Sequence, residues 1–116
     1  MDYYHSTIAA SKESSYFRRV VYDTRHLQAV VMSVGVGEEI GEEVHDEQDQ
    51  LFVFAEGEGK MTIGAEKVAV HSGDVVIIPS GVYHNLRNLG PGPLKLFTCF
   101  APPHYPPGSI METRGE

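Results

Sequence analysis

The chain has 116 residues, of which 41% are hydrophobic and 22% charged, and its formal net charge is -7. This length and composition predict one globular domain with its own core and argue against a disordered chain. The negative charge, with no Lys/Arg cluster beyond Arg18 and Arg19, argues against nucleic acid and membrane surfaces as partners. The single cysteine, Cys99, has no partner for an internal disulfide, and no apolar stretch resembles a signal sequence or a membrane span. We therefore expect a reduced, cytoplasmic protein.

The chain divides into three parts. Residues 1–17 form a polar, Ser-rich N-terminal arm, residues 18–101 form the compact middle, and residues 102–116 form a Pro-rich tail that we expect to be extended and polyproline-like. The middle consists of short β-rich runs separated by Gly, Asn, Asp and Pro, a pattern typical of an antiparallel sandwich or barrel. No stretch predicts a helix. The predicted strands lie near Arg19–Tyr22, Leu27–Val34, Glu42–His45, Leu51–Glu56, Lys60–Ile63, Glu66–Val70, Asp74–Ile78, Tyr83–Asn88 and Leu94–Ala101.

The first segment with chemical potential contains Glu43, His45 and Gln50. Glu43 and His45 are two residues apart, and on a strand such residues project to the same face, so both side chains can enter one cavity. If the chain turns between Asp46 and Asp49, Gln50 joins them from the start of the next strand. Three different kinds of metal ligand then converge.

The second segment delivers His84 after a buried strand and a corner at Pro79 and Gly81. Two imidazoles, a carboxylate and an amide oxygen form a mixed nitrogen and oxygen donor set. Such a set suits a first-row divalent ion such as Mn, Fe, Zn, Ni or Co better than Ca or Mg. Four protein ligands leave two positions of an octahedral ion for water or substrate, which Lewis-acid or dioxygen chemistry requires.

These two segments resemble the two motifs of the cupin superfamily. The spacing of Gly37, Glu43-x-His45, Gln50 and Gly57 is similar to that of the first motif. The second motif is matched without a gap by Gly73, Pro79, Gly81, His84 and Asn88. Other segments, such as Phe17–Arg19 and Ala101–His104, are similar to small bacterial monocupins often called mannose-6-phosphate-isomerase-like. The resemblance implies an all-β, double-stranded β-helix (jelly-roll) barrel, commonly dimeric, with a metal held by the ligands of both motifs.

The sequence departs from the superfamily pattern at two ligand positions. Glu43 stands where the pattern has its first His, and Gln50 stands where it has Glu. One negatively charged ligand therefore remains, although a neutral amide binds a metal more weakly than a carboxylate. Asp49 is the alternative fourth ligand if the turn brings it inward. The predicted metal ligands are thus Glu43, His45, Gln50 and His84, with Asp49 left open.

Strand alternation predicts the rest of the lining. Phe52 and Phe54 share the face of Gln50, Leu86 and Asn88 share that of His84, and Met32 closes the wall; we expect Asn88 to be a scaffold residue. No Lys or Arg has to point inward, and the lack of an inward cation to bind a phosphate counts against a sugar-phosphate isomerase. Arg87 or Lys95 can still lie at the mouth. Tyr83, Tyr105 and His104 are candidate acid/base groups near the entrance if the tail folds back, but no catalytic residue is singled out. His5, His26 and His71 are assigned no role.

Three functions remain open at this point. The first is a metal-dependent enzyme that acts on a small organic molecule, either without redox chemistry (isomerase, lyase or cyclase) or as a dioxygenase. The second is a non-catalytic module that binds or senses a small ligand, and the neutral Gln50 favours it. The third, a purely structural dimerisation domain, leaves the paired motifs unexplained. In each case we expect a homodimer.

Overall fold

The computed structural model describes residues 6–114, so His5 and the rest of residues 1–5 lie outside the described residues. One helix and nine strands are assigned within that range. They are α1 (Thr7–Glu13), β1 (Arg18–Asp23), β2 (Gln28–Val34), β3 (Asp49–Glu56), β4 (Glu58–Ile63), β5 (Glu66–His71), β6 (Val75–Ile78), β7 (His84–Asn88), β8 (Leu94–Ala101) and β9 (Ile110–Met111).

The strands form two antiparallel sheets. One has six strands in the order β6-β3-β8-β2-β1-β9, and the other has three in the order β5-β4-β7. The predicted all-β jelly-roll barrel is therefore confirmed. Alternate residues of each strand face the space between the sheets, as in β8, where the even-numbered residues from Leu94 to Phe100 are buried. Burial of each large apolar side chain there contributes about 1.5–3 kcal/mol relative to exposure.

The interior contains the side chains that alternation predicts. Phe52, Phe54, Leu86 and Met32 are all at most 4% exposed. Asn88 is also buried, and its amide is a scaffold group as expected, because Nδ2 donates to the carbonyls of Val34 and Gly92, both at 2.9 Å. These residues hold together the walls on which the candidate site is built.

The expectation that the chain has no helix is wrong, since Thr7–Glu13 in the N-terminal arm is helical. A seven-residue helix is too short for a periodic pattern in the sequence, and its stability comes from packing on β8, β2 and β3 of the six-stranded sheet. Lys95 also stabilises the end of this arm, because its Nζ donates to the carbonyls of Lys12 and Ser14 at 2.9 and 2.8 Å. No helix among residues 6–114 is long and apolar enough to span a membrane.

The segment Glu42–His45 is not a regular strand, contrary to the prediction. Only Glu43 forms a bridge, with His84, through two backbone hydrogen bonds of 2.9 Å. Gly41 interrupts the pairing with β7: its φ is +107°, and its N–H donates to the Asn85 side chain instead of to a backbone carbonyl. The bridge nevertheless fixes Glu43 beside His84.

The C-terminal tail is not an extended polyproline segment, which corrects a second expectation. It bends at Pro106–Ser109, where Ser109 N donates to Pro106 O at 3.2 Å. It then returns as β9, which pairs with the start of β1. This path brings residues 102–105 across one end of the barrel.

Candidate metal centre

His84 is a buried histidine at the start of β7, with 2% of its surface exposed. Its Nδ1 lies 3.0 Å from the carbonyl oxygen of Val82. Because a carbonyl can only accept, this contact places a proton on Nδ1, so in the neutral ring the lone pair is on Nε2. Histidines that bind metals are typically held by such a contact through the other ring nitrogen.

Glu43 and His45 lie together at the same place in the barrel. Glu43 Oε2 is 3.0 Å from His45 Nε2, and the centroids of the His45 and His84 rings are 5.4 Å apart. The corner at Gly81 supports this arrangement, because Gly81 N donates to the carbonyl of His45 at 2.9 Å and the positive φ of +82° suits glycine. His45 Nε2 is buried and has no hydrogen-bond partner apart from this ion-pair contact with Glu43.

Gln50 faces the interior from β3 and is 6% exposed. Its Nε2 donates to the Thr98 hydroxyl at 2.9 Å, while its Oε1 is buried without a partner. Its neighbours in the sheet are Phe52, whose ring lies 6.0 Å from that of His84, and Phe100, whose ring lies 5.3 Å from that of His45. Gln50 therefore borders the histidine pair and presents a carbonyl oxygen that no protein group satisfies.

Asp49 does not face this interior. It is exposed, and its Oδ1 accepts a hydrogen bond of 2.9 Å from the backbone N–H of Ser80. Successive residues of a strand point to opposite faces, so the inward position of Gln50 requires the outward position of Asp49. Asp49 therefore lies on the face of β3 opposite to Gln50.

The tail places His104 and Tyr105 over the cluster, which agrees with the expectation for a tail that folds back. The His104 ring is 4.4 Å from that of His45, and the Tyr105 ring is 4.6 Å from that of His104. Gln28, fully buried, holds both residues: its Oε1 accepts from His104 N and Tyr105 N, and its Nε2 donates to Tyr105 O at 2.7 Å. His104 remains exposed and lies at the entrance.

Other expected residues lie elsewhere. Tyr83 and Arg87 face the outer side of the three-stranded sheet, where they line a cavity of about 410 Å³ with Glu39 and Glu42. Lys95 binds the end of α1. Arg87 is not at the mouth, because odd-numbered residues of β7 point away from the interior that receives His84. Tyr83 lines the same outer cavity, and Lys95 is held at α1.

Sequence reasoning missed Arg18 as an inward-facing cation. Its Nη1 donates to the Tyr105 hydroxyl at 2.9 Å, next to the histidine cluster. The predicted first strand began at Arg19, whereas β1 begins at Arg18 and puts it on the same face as the buried Val20. Extending the predicted alternation by one residue would have found it.

Burial shifts the pKa values of three groups at the site. It raises the pKa of Glu43, against the opposing charges of His84, Arg18 and His104. Burial, with His84 nearby, lowers the pKa of His45. Burial first, and then the proximity of His45, also lowers the pKa of His104. Neutral imidazoles have lone pairs available for a metal or a proton.

Two of the predicted metal ligands carry buried atoms without a hydrogen bond. His45 Nε2 and Gln50 Oε1 are the buried side-chain atoms left without hydrogen bonds among the described residues, and both belong to predicted ligands. Within residues 6–114, however, no three His, Cys, Asp or Glu side chains form a group that could hold a metal by themselves. Glu43, His45 and His84 therefore do not form such a group in this structure, and their side chains would have to move to hold a metal together.

Comparison with known proteins identifies the family. Residues 30–100, more than half of the chain, match the family described as the cupin domain. This chain belongs to the cupin family. The matched residues include the four predicted ligands and stop just before the tail that carries His104.

Two relatives resemble this cupin along nearly its whole length. The uncharacterized protein YrkC of Bacillus subtilis is 34% identical over 113 residues, which cover 92% of this cupin and 61% of YrkC. The crystal structure of BH2720 from Bacillus halodurans is 35% identical, with a TM-score of 0.97 over 99% of this cupin and 92% of that chain. KdgF from Halomonas shares the fold at 24% identity, with a TM-score of 0.71 over 75% and 78% of the two chains.

Proposed function

We propose that this cupin is a metal-dependent enzyme that acts on a small organic molecule. The observation that supports it most is the pair of buried, unsatisfied atoms His45 Nε2 and Gln50 Oε1. An unpartnered Gln50 Oε1 costs about 1–3 kcal/mol, and His45 Nε2 has, among the described residues, only the Glu43 carboxylate beside it at 3.0 Å. A cation would accept a lone pair from both atoms. Glu43 and His84 complete the proposed ligand set.

The ion proposed is a first-row divalent metal such as Mn, Fe, Zn, Ni or Co. When bound, it supplies Lewis-acid or dioxygen chemistry at an oxygen of the substrate. The chain's own residues would do the rest: the Val82 carbonyl orients the His84 ring, and Phe52 and Phe100 exclude water around it. His104, neutral and exposed, would accept a proton at the entrance. Iron content with oxygen consumption would select a dioxygenase. Metal-dependent activity without oxygen consumption would select an isomerase, lyase or cyclase.

Metal analysis tests this proposal. The protein, purified without a metal-affinity tag, is analysed by mass spectrometry beside His84→Ala and the matched control His71→Ala, which alters an exposed histidine. We expect transition metal near one per chain in the wild type and in His71→Ala, and a loss in His84→Ala with the fold checked by circular dichroism. Wild-type protein that neither contains nor takes up a metal would contradict the proposal.

A second candidate function is a non-catalytic module that binds or senses a small ligand. Two observations favour it: Gln50 is neutral, and the described residues contain no ready group of three acidic, histidine or cysteine donors. In that case the unsatisfied atoms would bind polar groups of the ligand. Thermal stabilisation by a ligand without turnover, in protein that takes up no metal, would select this function.

The remaining expectations concern partners and location. We propose a small-molecule partner and a homodimer, and a cytoplasmic location where the lone Cys99 stays reduced. The net charge of -7 disfavours binding to nucleic acid and anionic membranes, so we propose neither as a partner. Fractionation of cells that express the full-length protein would test the location.

A further inference from the structure

Arg18 points toward the interior of the barrel although it carries a permanent charge. It begins β1, where it shares a face with Val20, which is 6% exposed, and lies opposite Met32, which is 4% exposed. Its neighbour Arg19 faces outward and is exposed. The guanidinium of Arg18 is therefore half-buried beside the core rather than fully solvated.

The groups that hold Arg18 are all neutral. Nη1 donates to the Tyr105 hydroxyl at 2.9 Å, Nη2 donates to Met111 Sδ at 3.7 Å, and Cζ lies 4.0 Å from the centre of the Tyr105 ring. None of the ion pairs formed among residues 6–114 includes Arg18. A guanidinium has five N–H donors, so most of the donors of Arg18 remain available to another acceptor.

Arg18 is also coupled to the candidate metal centre. The Tyr105 ring that it contacts lies 4.6 Å from His104, and His104 lies 4.4 Å from His45. A group bound at Arg18 would therefore lie next to the proposed metal ligands, at the end of the barrel that the tail covers.

Among residues 6–114 no carboxylate forms an ion pair with Arg18, so its remaining N–H donors are free to bind another acceptor. A carboxylate is the planar group that a guanidinium binds most specifically. We propose that Arg18 binds the carboxylate of a small organic acid, which is the ligand or substrate of this site. This inference rests on the proposed function, whose substrate class it narrows. Tyr105 and Met111 act as positioning residues that hold the guanidinium at the entrance.

Titration by nuclear magnetic resonance tests the inference. Metal-free protein is titrated with acetate, oxalate, pyruvate and succinate, with succinamide as the neutral control and inorganic phosphate as a separate anion. The readouts are the side-chain Nε–H signal of Arg18 in the wild type, assigned by correlation to its backbone, and the backbone amide signal of Tyr105 in the wild type and in every variant. We expect saturable changes with at least one acid, none with succinamide, and about a tenfold or greater loss of affinity in Arg18→Gln.

Arg19→Gln is the matched control, because it removes the same charge from the adjacent outward-facing position, and we expect unchanged affinity. If Arg18→Gln does not fold, Arg18→Lys keeps the charge without the planar fork and should still weaken binding. The inference is wrong if no acid moves the Arg18 signal, if phosphate alone does so, or if Arg18→Gln binds as tightly as the wild type. Metal uptake of the same preparation is measured separately. Acid binding without metal uptake overturns only the metal proposal, and metal uptake without acid binding overturns only the proposal for Arg18.

Discussion

Gln50 is the residue that decides the strength of the candidate metal centre. Its carbonyl oxygen is buried and unsatisfied, but an amide binds a cation more weakly than a carboxylate. We predict that Gln50→Glu binds the transition metal at least about tenfold more tightly, measured by competition with a chelator. The same substitution should destabilise the metal-free protein by about 1 kcal/mol or more, because it buries a charge.

Gln48→Glu is the control for this prediction, since it makes the same chemical change two residues away, where the side chain is only partly buried. We expect it to leave metal affinity unchanged. Equal metal affinity in Gln50→Glu and the wild type would show that position 50 does not contact the metal.

The motif spacing predicted which side of the barrel Glu43, His45, Gln50 and His84 occupy, because strand alternation and a fixed corner decide that locally. It did not predict that Arg18 lies close to His104 and Tyr105 of the tail. Their proximity depends on the path of the tail from Ala101 to β9, and the sequence of that segment does not specify where it docks. The choice between Gln50 and Asp49 followed only once the register of β3 was known.

At the level of elements, one buried side chain makes several of the hydrogen bonds to the tail. Gln28 makes four hydrogen bonds, two accepted from the backbone N–H groups of His104 and Tyr105 and two donated to Asp23 and Tyr105. We predict that Gln28→Ala lowers the free energy of unfolding by roughly 2–4 kcal/mol, because several buried groups lose partners. It should also make residues 102–109 a site of limited proteolysis.

Gln48→Ala provides the comparison, because Gln48 contacts the tail only through a 3.4 Å hydrogen bond to Pro103 O. We expect its unfolding free energy in urea to stay within about 0.5 kcal/mol of the wild type. A Gln28→Ala protein with wild-type stability and an uncleaved tail would show that other contacts hold the tail.

Elements with a clear two-residue alternation were predictable, and those without one were not. The strands from Leu51 to Ala101 occur within a few residues of their predicted bounds. Helix α1 depends on packing against the six-stranded sheet, and the interruption near Glu43 depends on the hydrogen bond from Gly41 to Asn85. Both are tertiary effects that local sequence does not reveal.

At the level of the whole molecule, the outer face of the six-stranded sheet is the surface that we expect a homodimer to bury. Leu27, Leu51, Ile77, Cys99 and Ala101 line an apolar cavity of about 350 Å³ there, and Ile77 is 65% exposed. We predict a dimer by light scattering and a monomer for Ile77→Lys. Val68→Lys, which alters an exposed valine of the other sheet, should remain dimeric.

Cys99 gives a second measurement of the same surface. Burial raises the pKa of the Cys99 thiol, so its thiolate fraction at pH 8 is below that of free cysteine and increases as the pH rises. Alkylation by iodoacetamide should therefore be slow in the wild type and faster in Ile77→Lys. A wild-type monomer whose Cys99 reacts as fast as free cysteine would contradict the expected dimer.

The metal centre itself is tested most directly by anomalous diffraction from crystals grown with Mn²⁺. We expect one anomalous peak per chain within bonding distance of His45 Nε2, His84 Nε2 and Gln50 Oε1, and we expect His84→Ala to lose this peak. Crystals that show no peak there, with His45 Nε2 still beside Glu43, would contradict the assignment of this site to a metal.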